Sequence, residues 1–309
     1  MSATQAQRRP ARRWGAWLVA LAGACTGLPA PAAPAPAPVP GRELLVCADP
    51  SNLPYSNQRE QGFENALARL LAQELDARLL YDWHMQRRGF LRRTLLAGRC
   101  DVVLGVPPGL PGVATTRPYY SSSYVFVTRR DAQAQPAGFD DPVLRNWRIG
   151  LQALGVEGAN TPPASALARR GIVQGVVGFP MWGVAEDESP PAHLIEAVAE
   201  GRIDTAIVWG PFAGYFAKAH GDALTLQPVL SDPLQPGLAF RYDLAVAVRR
   251  GDDDLLRQLQ AALDRREADI RQLLQDHGVP LLPSPGPALA ATAVPTALAA
   301  TSTPEPVRP

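Results

Sequence analysis

The sequence predicts an α/β fold of two lobes, each a mixed, mostly parallel sheet with flanking helices, and a hinge cleft between them. Three observations carry this. Strand-like and helix-like segments alternate from Glu43 onward, the sign of parallel strands joined by crossover helices. A second unit of the same grammar follows the first. The chain leaves the first unit near residue 135 and comes back near residue 235, and two crossings make a hinge.

The first unit opens on the strand "ELLVCAD". Its helix, "FENALARLLAQELDA", sets Phe63, Leu67, Leu70, Leu71 and Leu75 on one face, at the spacing of a helical period. "RLLYDW" returns as a strand. "RRGFLRRTLLAGR" predicts one basic amphipathic helix, with Phe90, Leu91, Leu95 and Leu96 inward, arginines outward and a stop at Gly98. "CDVVLGV" and "SYVFVTRR" are strands. In the second unit "WRIGLQ" is a strand, and "PPASALARRG" a helix with Thr161 at its cap and Pro162 in its first turn. "GVVGF", "DTAIVWG" and "LTLQPVL" are strands, alternating with the helices "PPAHLIEAVAEGR" and "PFAGYFAKAHG". After the Pro-rich return "SDPLQPG", the strand "RYDLAVAVRR" and one long helix from Asp252 to about His277 close the fold.

The organisation expected is a signal peptide (1–30), a Pro/Ala linker (31–41), lobe 1 (42–135 plus 236–282), lobe 2 (136–235) and a disordered Pro/Ala tail (283–309). Four arginines at 8, 9, 12 and 13 precede the apolar run "WGAWLVALAGACTGL", which is too short for a comfortable membrane span and reads as a cleaved export signal, so the expected location is the periplasm. Gly15 interrupts the apolar run that a twin-arginine signal needs, and Cys25 sits one residue off the lipoprotein arrangement. With 309 residues, a formal net charge of +1 and 19% charged residues, the chain is long enough for two cores and shows no sign of a nucleic-acid partner. In an oxidising compartment Cys47 and Cys100 invite a bridge; the other reading leaves each as a small buried residue beside a strand.

Ligands of open α/β sheets lie beyond the carboxyl ends of the strands, so the loops "DPSNLPYSN", "GVPPGLPG", "LGVEGANTPP" and "WGPFAGY" should face the cleft. The segments "CADPSNLPYS", "GRCDVVLGV", "RPYYSSSYVFV", "GRIDTAIVWGP" and "LAVAVRRGD" stand in the order and at the spacing of the periplasmic solute-binding proteins of polar amino-acid transporters. From about Arg42 to Pro280 the chain resembles that family, which implies the two-lobed type II periplasmic binding protein fold. The resemblance also implies two charged anchors: an arginine after the third strand for the ligand carboxylate, and an aspartate at the end of the second lobe's last core strand for its ammonium. Here the first segment reads "PPGLPG" without arginine, Arg117 lies just beyond it before Pro118, and the second position is Trp209. A free amino acid would be left without counter-charges.

A narrower resemblance accounts for the change. "CADPSNLPYSNQREQGFEN", "MQRRGFLRRTLLAGRCDVVLGVP", "TTRPYYSSSYVFVTR" and "GANTPPASALARRGI" look like the solute-binding-type proteins associated with pyrroloquinoline-quinone (PQQ) methanol and alcohol dehydrogenases, MoxJ and XoxJ. This resemblance implies a non-enzymatic periplasmic accessory protein, with no cofactor of its own, that binds the large subunit of a PQQ-dependent dehydrogenase. The alternative is a transport-linked binder of an unidentified small solute.

The residues expected to line the cleft are Asp49, Asn52, Tyr55, Arg87, Arg88, Arg117, Tyr119, Asn160, Trp182 and Trp209, with Tyr120 and Phe212 beside them. Each has a plainer reading. Asp49 and Asn52 hold a turn, Tyr119 and Tyr120 pack the hinge side, and Asn160 and Thr161 cap a helix. Arg87 and Arg88 begin a helix, where the macrodipole disfavours cations, and that conflict points to an anionic group at the cleft mouth. Arg92, Arg93 and Arg99 read as a solvated face. No metal is expected, because His84, His193, His220 and His277 stand singly and no acidic loop converges. Neither a nucleophile elbow nor a phosphate loop is present.

Overall fold

The computed structural model describes residues 41–152, 161–181 and 189–283, all within one compact unit, Pro40–Pro309. The expected signal peptide, most of the linker, the tail from residue 284, Asn160 and Trp182 lie outside the described residues.

The chain begins with strand β1 (Arg42–Ala48), a short hairpin of β2 (Ser51–Asn52) and β3 (Ser56–Asn57), helix α1 (Phe63–Glu74) and strand β4 (Ala77–Trp83). Next come α2 (Phe90–Arg93), β5 (Val103–Val106), β6 (Val113–Thr115) and the long β7 (Tyr120–Arg129). Then follow β8 (Ile149–Gln152), α3 (Pro162–Arg169), β9 (Val176–Phe179), α4 (Pro190–Ala199), β10 (Thr205–Trp209), α5 (Gly210–Ala217) and β11 (Leu224–Val229). The last elements are β12 (Arg241–Arg249), α6 (Asp253–Arg265) and α7 (Glu267–Asp276). All five apolar residues assigned to one face of α1 are buried.

Crossover strands are parallel: β1 with β4, a bridge from Val46 to Val102 just before β5, and β8 between β9 and β10. The two long strands differ. β7 runs antiparallel to β10, β11 and β12, and β12 runs antiparallel to β5, β6 and β7, so antiparallel pairs outnumber parallel ones. The reason is topological: each long strand passes between two packed regions and meets neighbours of both.

Alternation along these strands separates the cores. Tyr120 of β7 and Leu244, Val246 and Val248 of β12 pack with β1, α1, α6 and α7. Further along β7, Val125 and Val127 face α4 and α5, while Phe126 points to the opposite face with Phe139, Ile149 and Phe240. The changeover falls inside β7 at Ser121–Ser123, which pairs with Arg241–Asp243. These buried serines are satisfied where they cross: Ser121 Oγ donates to Asp243 Oδ1, and Ser122 Oγ to the Pro280 carbonyl at 2.7 Å. Close backbone contact supports the same region, because a Cβ at Gly214 would collide with the Gly278 carbonyl oxygen. In the second core, buried Arg170 holds Asp232 at 2.6 Å and Asp140 at 2.7 Å, and these bonds keep the Asp232 carboxyl below its usual range.

Two helices differ from expectation. "RRGFLRRTLLAGR" is not one helix. It is α2 and a single 3₁₀ turn, Leu95–Ala97, broken at Thr94 (φ −117°, ψ −90°), whose hydroxyl donates back to the Phe90 carbonyl at 2.7 Å. Phe90 and Leu95 are buried as expected, but the break leaves Leu96 exposed. The final helix likewise bends at Arg266 (φ −107°, ψ 19°). Successive residues of a continuous helix point about 100° apart, and the bend lets Arg265 and Arg266 both reach Glu74, at 2.9 and 3.0 Å. Those two bonds lower the pKa of Glu74.

Cys47 and Cys100 are joined in a disulfide, with Cα atoms 5.6 Å apart, inside a small apolar cluster with Phe90, Leu95, Val103 and Val106. The bridge ties β1 to the start of β5 across 53 residues. Loop-closure entropy for a ring of that size is about 4 kcal/mol. Cys47→Ser with Cys100→Ser should therefore lower unfolding free energy by roughly 3–4 kcal/mol in urea titration; an unchanged midpoint would show that the bridge does not constrain the unfolded chain.

Candidate functional site

β10 delivers Trp209 at its carboxyl end, where Pro211 in the first turn of α5 ends the strand. The indole Nε1 donates to the Tyr55 hydroxyl at 2.7 Å. Both side chains pack against the first core and the second, so this bond joins the two halves of the fold. Around it the Tyr124 and Tyr242 rings stand edge-on to the indole at 5.6 and 5.5 Å. Tyr55 meets Phe63 at 5.1 Å and Phe212 at 5.3 Å. Offset and edge-on aromatic pairs of this kind add about 0.5–1.5 kcal/mol each beyond the area they bury.

Beneath this layer stands Glu64, in the first turn of α1. It is partly exposed, yet burial alone raises its pKa to about 8; no bond or cation offsets the effect. The cluster phenols Tyr55, Tyr119 and Tyr120 are pushed well above 10, first by their own burial and also by the Glu64 charge. Gly105, inside β5 and at φ +65°, leaves the carboxylate room. A Cβ there would collide with Glu64 Oε1 and stand 4.0 Å from the Tyr119 hydroxyl. The hydroxyl of Tyr120 and the Nε2 of buried Gln152 have no hydrogen-bond partner among the described residues, the Tyr119 hydroxyl has only the backbone of Gly105 against it, and Gln152 Oε1 faces the Trp209 amide at 3.5 Å.

The structure gathers Tyr55, Tyr119, Tyr120, Phe212 and Trp209; Asn160 and Trp182 lie outside the described residues, and Asp49, Asn52 and Arg117 have partners of their own. Asp49 is buried and spends both oxygens on backbone amides, of Ser51 at 2.9 Å and Gln86 at 2.5 Å. Asn52 donates to the Gln86 side chain at 3.0 Å. Arg117 turns outward to a bidentate bond with Asp264 on α6, at 2.7 Å. There it borders a groove of about 590 Å³ lined also by Pro118, Leu263, Ile270 and Leu274. Arg87 and Arg88 do not begin a helix. α2 starts at Phe90 after left-handed Gly89, and the Arg88 carbonyl accepts from Arg93 Nη1 at 2.6 Å, so the conflict with the macrodipole does not arise. Thr161 occupies the α3 cap position without a side-chain capping bond, and Pro162 starts the helix as expected. Among the described residues no three His, Cys, Asp or Glu side chains gather into a metal-holding group, and no helix is long and apolar enough to cross a membrane.

Sequence reading missed Glu64, Gln152, Tyr124 and Tyr242. A glutamate in the first turn of a helix looks like a favourable partner for the macrodipole, and nothing local signals that Gly105 lies against it.

No family model matches the chain. The protein MoxJ of Methylorubrum extorquens is 28% identical over 302 residues, 88% of this chain and 97% of that protein. The crystal structure of MxaJ from Methlophaga aminisulfidivorans MPT superposes with a TM-score of 0.67 at 30% identity, covering 77% of this chain and all of that one. The periplasmic binding protein XoxJ from Methylobacterium extorquens AM1 superposes with a TM-score of 0.63 at 33% identity, covering 78% of this chain and all of that one. This chain belongs to the MoxJ/MxaJ/XoxJ family. Its fold is the type II periplasmic binding protein fold, and one family relative, XoxJ, is named as a periplasmic binding protein. Within this MoxJ-type chain, the position where the resemblance to amino-acid binders led to the expectation of an aspartate holds an indole bonded to a phenol.

Electrostatics at Glu64 has a measurable sign. In the unfolded chain the carboxyl ionises near 4.5, whereas in the folded protein it keeps its proton to about 8. Between those values folding takes up a proton, so this group's contribution falls as pH rises. Glu64→Gln should raise stability near pH 7 by roughly 1–3 kcal/mol and flatten the pH dependence between about 5 and 8, as read by urea titrations across pH; an identical slope in both proteins would refute the buried-acid assignment.

Proposed function

We propose that this MoxJ-type chain is a non-enzymatic periplasmic accessory protein that assists maturation or activation of a PQQ-dependent methanol or alcohol dehydrogenase by engaging its large subunit. Family membership supports the pathway, and the altered cleft supports the mode. The observation that carries it is the Trp209–Tyr55 hydrogen bond: both side chains sit where the solute-binding fold would hold a zwitterion, and they satisfy each other. Neither anchor for a free amino acid is present, since Arg117 is committed to Asp264 and residue 209 is apolar. What remains is a large aromatic surface with a few polar groups, which suits a polypeptide segment better than a small polar solute. The division into lobe 1 (42–135 plus 236–282) and lobe 2 (136–235) belongs to this proposal, because engagement would draw on both sides of the hinge.

The expected outcome is co-purification and crosslinking of the chain with the dehydrogenase large subunit, and loss of most dehydrogenase activity in cells that lack it. Unchanged activity in such cells would overturn the reading.

A further inference from the structure

Resting on the reading of this surface as a polypeptide site, we infer that its charged acceptor is Glu64 and that the group it takes is a cationic side chain, lysine or arginine, entering between Tyr55, Tyr119 and Gly105. The carboxylate has no structural duty. The start of α1 is served by its neighbour, since Asn65 Oδ1 accepts from the Gly62 amide at 3.2 Å and from the Asn57 amide at 3.1 Å. Among the described residues no hydrogen bond or ion pair joins the Glu64 carboxyl to another group. An unpaired acid in crowded apolar surroundings costs stability, and a fold that keeps one there has a use for it outside the chain.

The surroundings define the chemistry. The titratable groups that interact with Glu64 are the phenols of Tyr55, Tyr81, Tyr119 and Tyr120, and no arginine or lysine among the described residues does so. An anion would therefore meet a carboxylate and electron-rich rings, whereas a cation meets a counter-charge and cation–π partners. The unpartnered hydroxyl oxygen of Tyr120 can accept an N–H bond that the carboxylate leaves over. Gly105 leaves Oε1 its place, since a Cβ there would stand 2.2 Å from it. With no described cation to pair an α-carboxylate, a free amino acid would lose at its acid group what it gains at its ammonium. A side chain carried on a peptide brings the positive charge alone. Its arrival ionises Glu64, and the proton leaves to solvent.

The test is calorimetry on the full mature chain at pH 6.5 in two buffers of different ionisation enthalpy. The probes are acetyl-Ala-Lys-Ala-amide and its arginine counterpart, with the norleucine peptide as neutral isostere and free lysine as the zwitterion. The cationic peptides should bind at least about tenfold more tightly than the norleucine peptide and free lysine, with release of about one proton per site. Glu64→Gln should lose that preference and the proton release while keeping its far-ultraviolet circular dichroism and melting no lower than the parent chain. Equal binding of the norleucine peptide, no proton release, preference retained in Glu64→Gln, or no binding of either cationic peptide would each overturn the assignment. The two readings fail separately. Cation-selective binding without capture of the large subunit would sink the partner and keep the site, and capture without it would sink the site alone.

Discussion

The hydrogen bond from the Trp209 indole to the Tyr55 hydroxyl is the contact on which the arrangement of this protein turns. It is made by the last residue of a strand in one core and a loop residue of the other, and both rings pack against both cores. A polar pair is needed there because each partner alone would leave a buried donor or acceptor unmade, at a cost of about 1–3 kcal/mol. With Tyr124, Tyr242, Phe63 and Phe212 around it, the pair forms the centre of an aromatic seam.

Polarity survives under the seam in concentrated form. Glu64 sits among phenols with no cation beside it, while the acids elsewhere whose pKa is lowered have arginine partners: Asp232 and Asp140 with Arg170, Glu74 with Arg265 and Arg266, Asp82 with Arg99. Arg170 neutralises the buried Asp232 with a bidentate guanidinium contact, whereas no cation among the described residues does the same for Glu64.

Much of the fold could be read along the chain. Strand and helix identities follow from apolar period, and the buried face of α1 matched residue by residue. Misreadings fell where local pattern and tertiary contacts disagree. "RRGFLRRTLLAGR" has a continuous helical period, but the Thr94 back-bond and Gly89 confine it to four residues and a 3₁₀ turn. The bend at Arg266 answers to Glu74, nearly two hundred residues away in sequence. Arg117, expected to line the cleft, is held by Asp264 on a distant helix.

Sequence alone was enough to establish the α/β grammar, the missing counter-charges and the resemblance to the MoxJ and XoxJ proteins, because each rests on residue type and local spacing. Tertiary structure decided the antiparallel setting of β7 and β12, the joining of Cys47 to Cys100, the bond between Trp209 and Tyr55, and the isolation of Glu64 beside Gly105. These depend on which distant segments become neighbours. Spacing along a chain specifies a face or a turn; the dielectric around a carboxyl and the partner of an indole come from packing between elements.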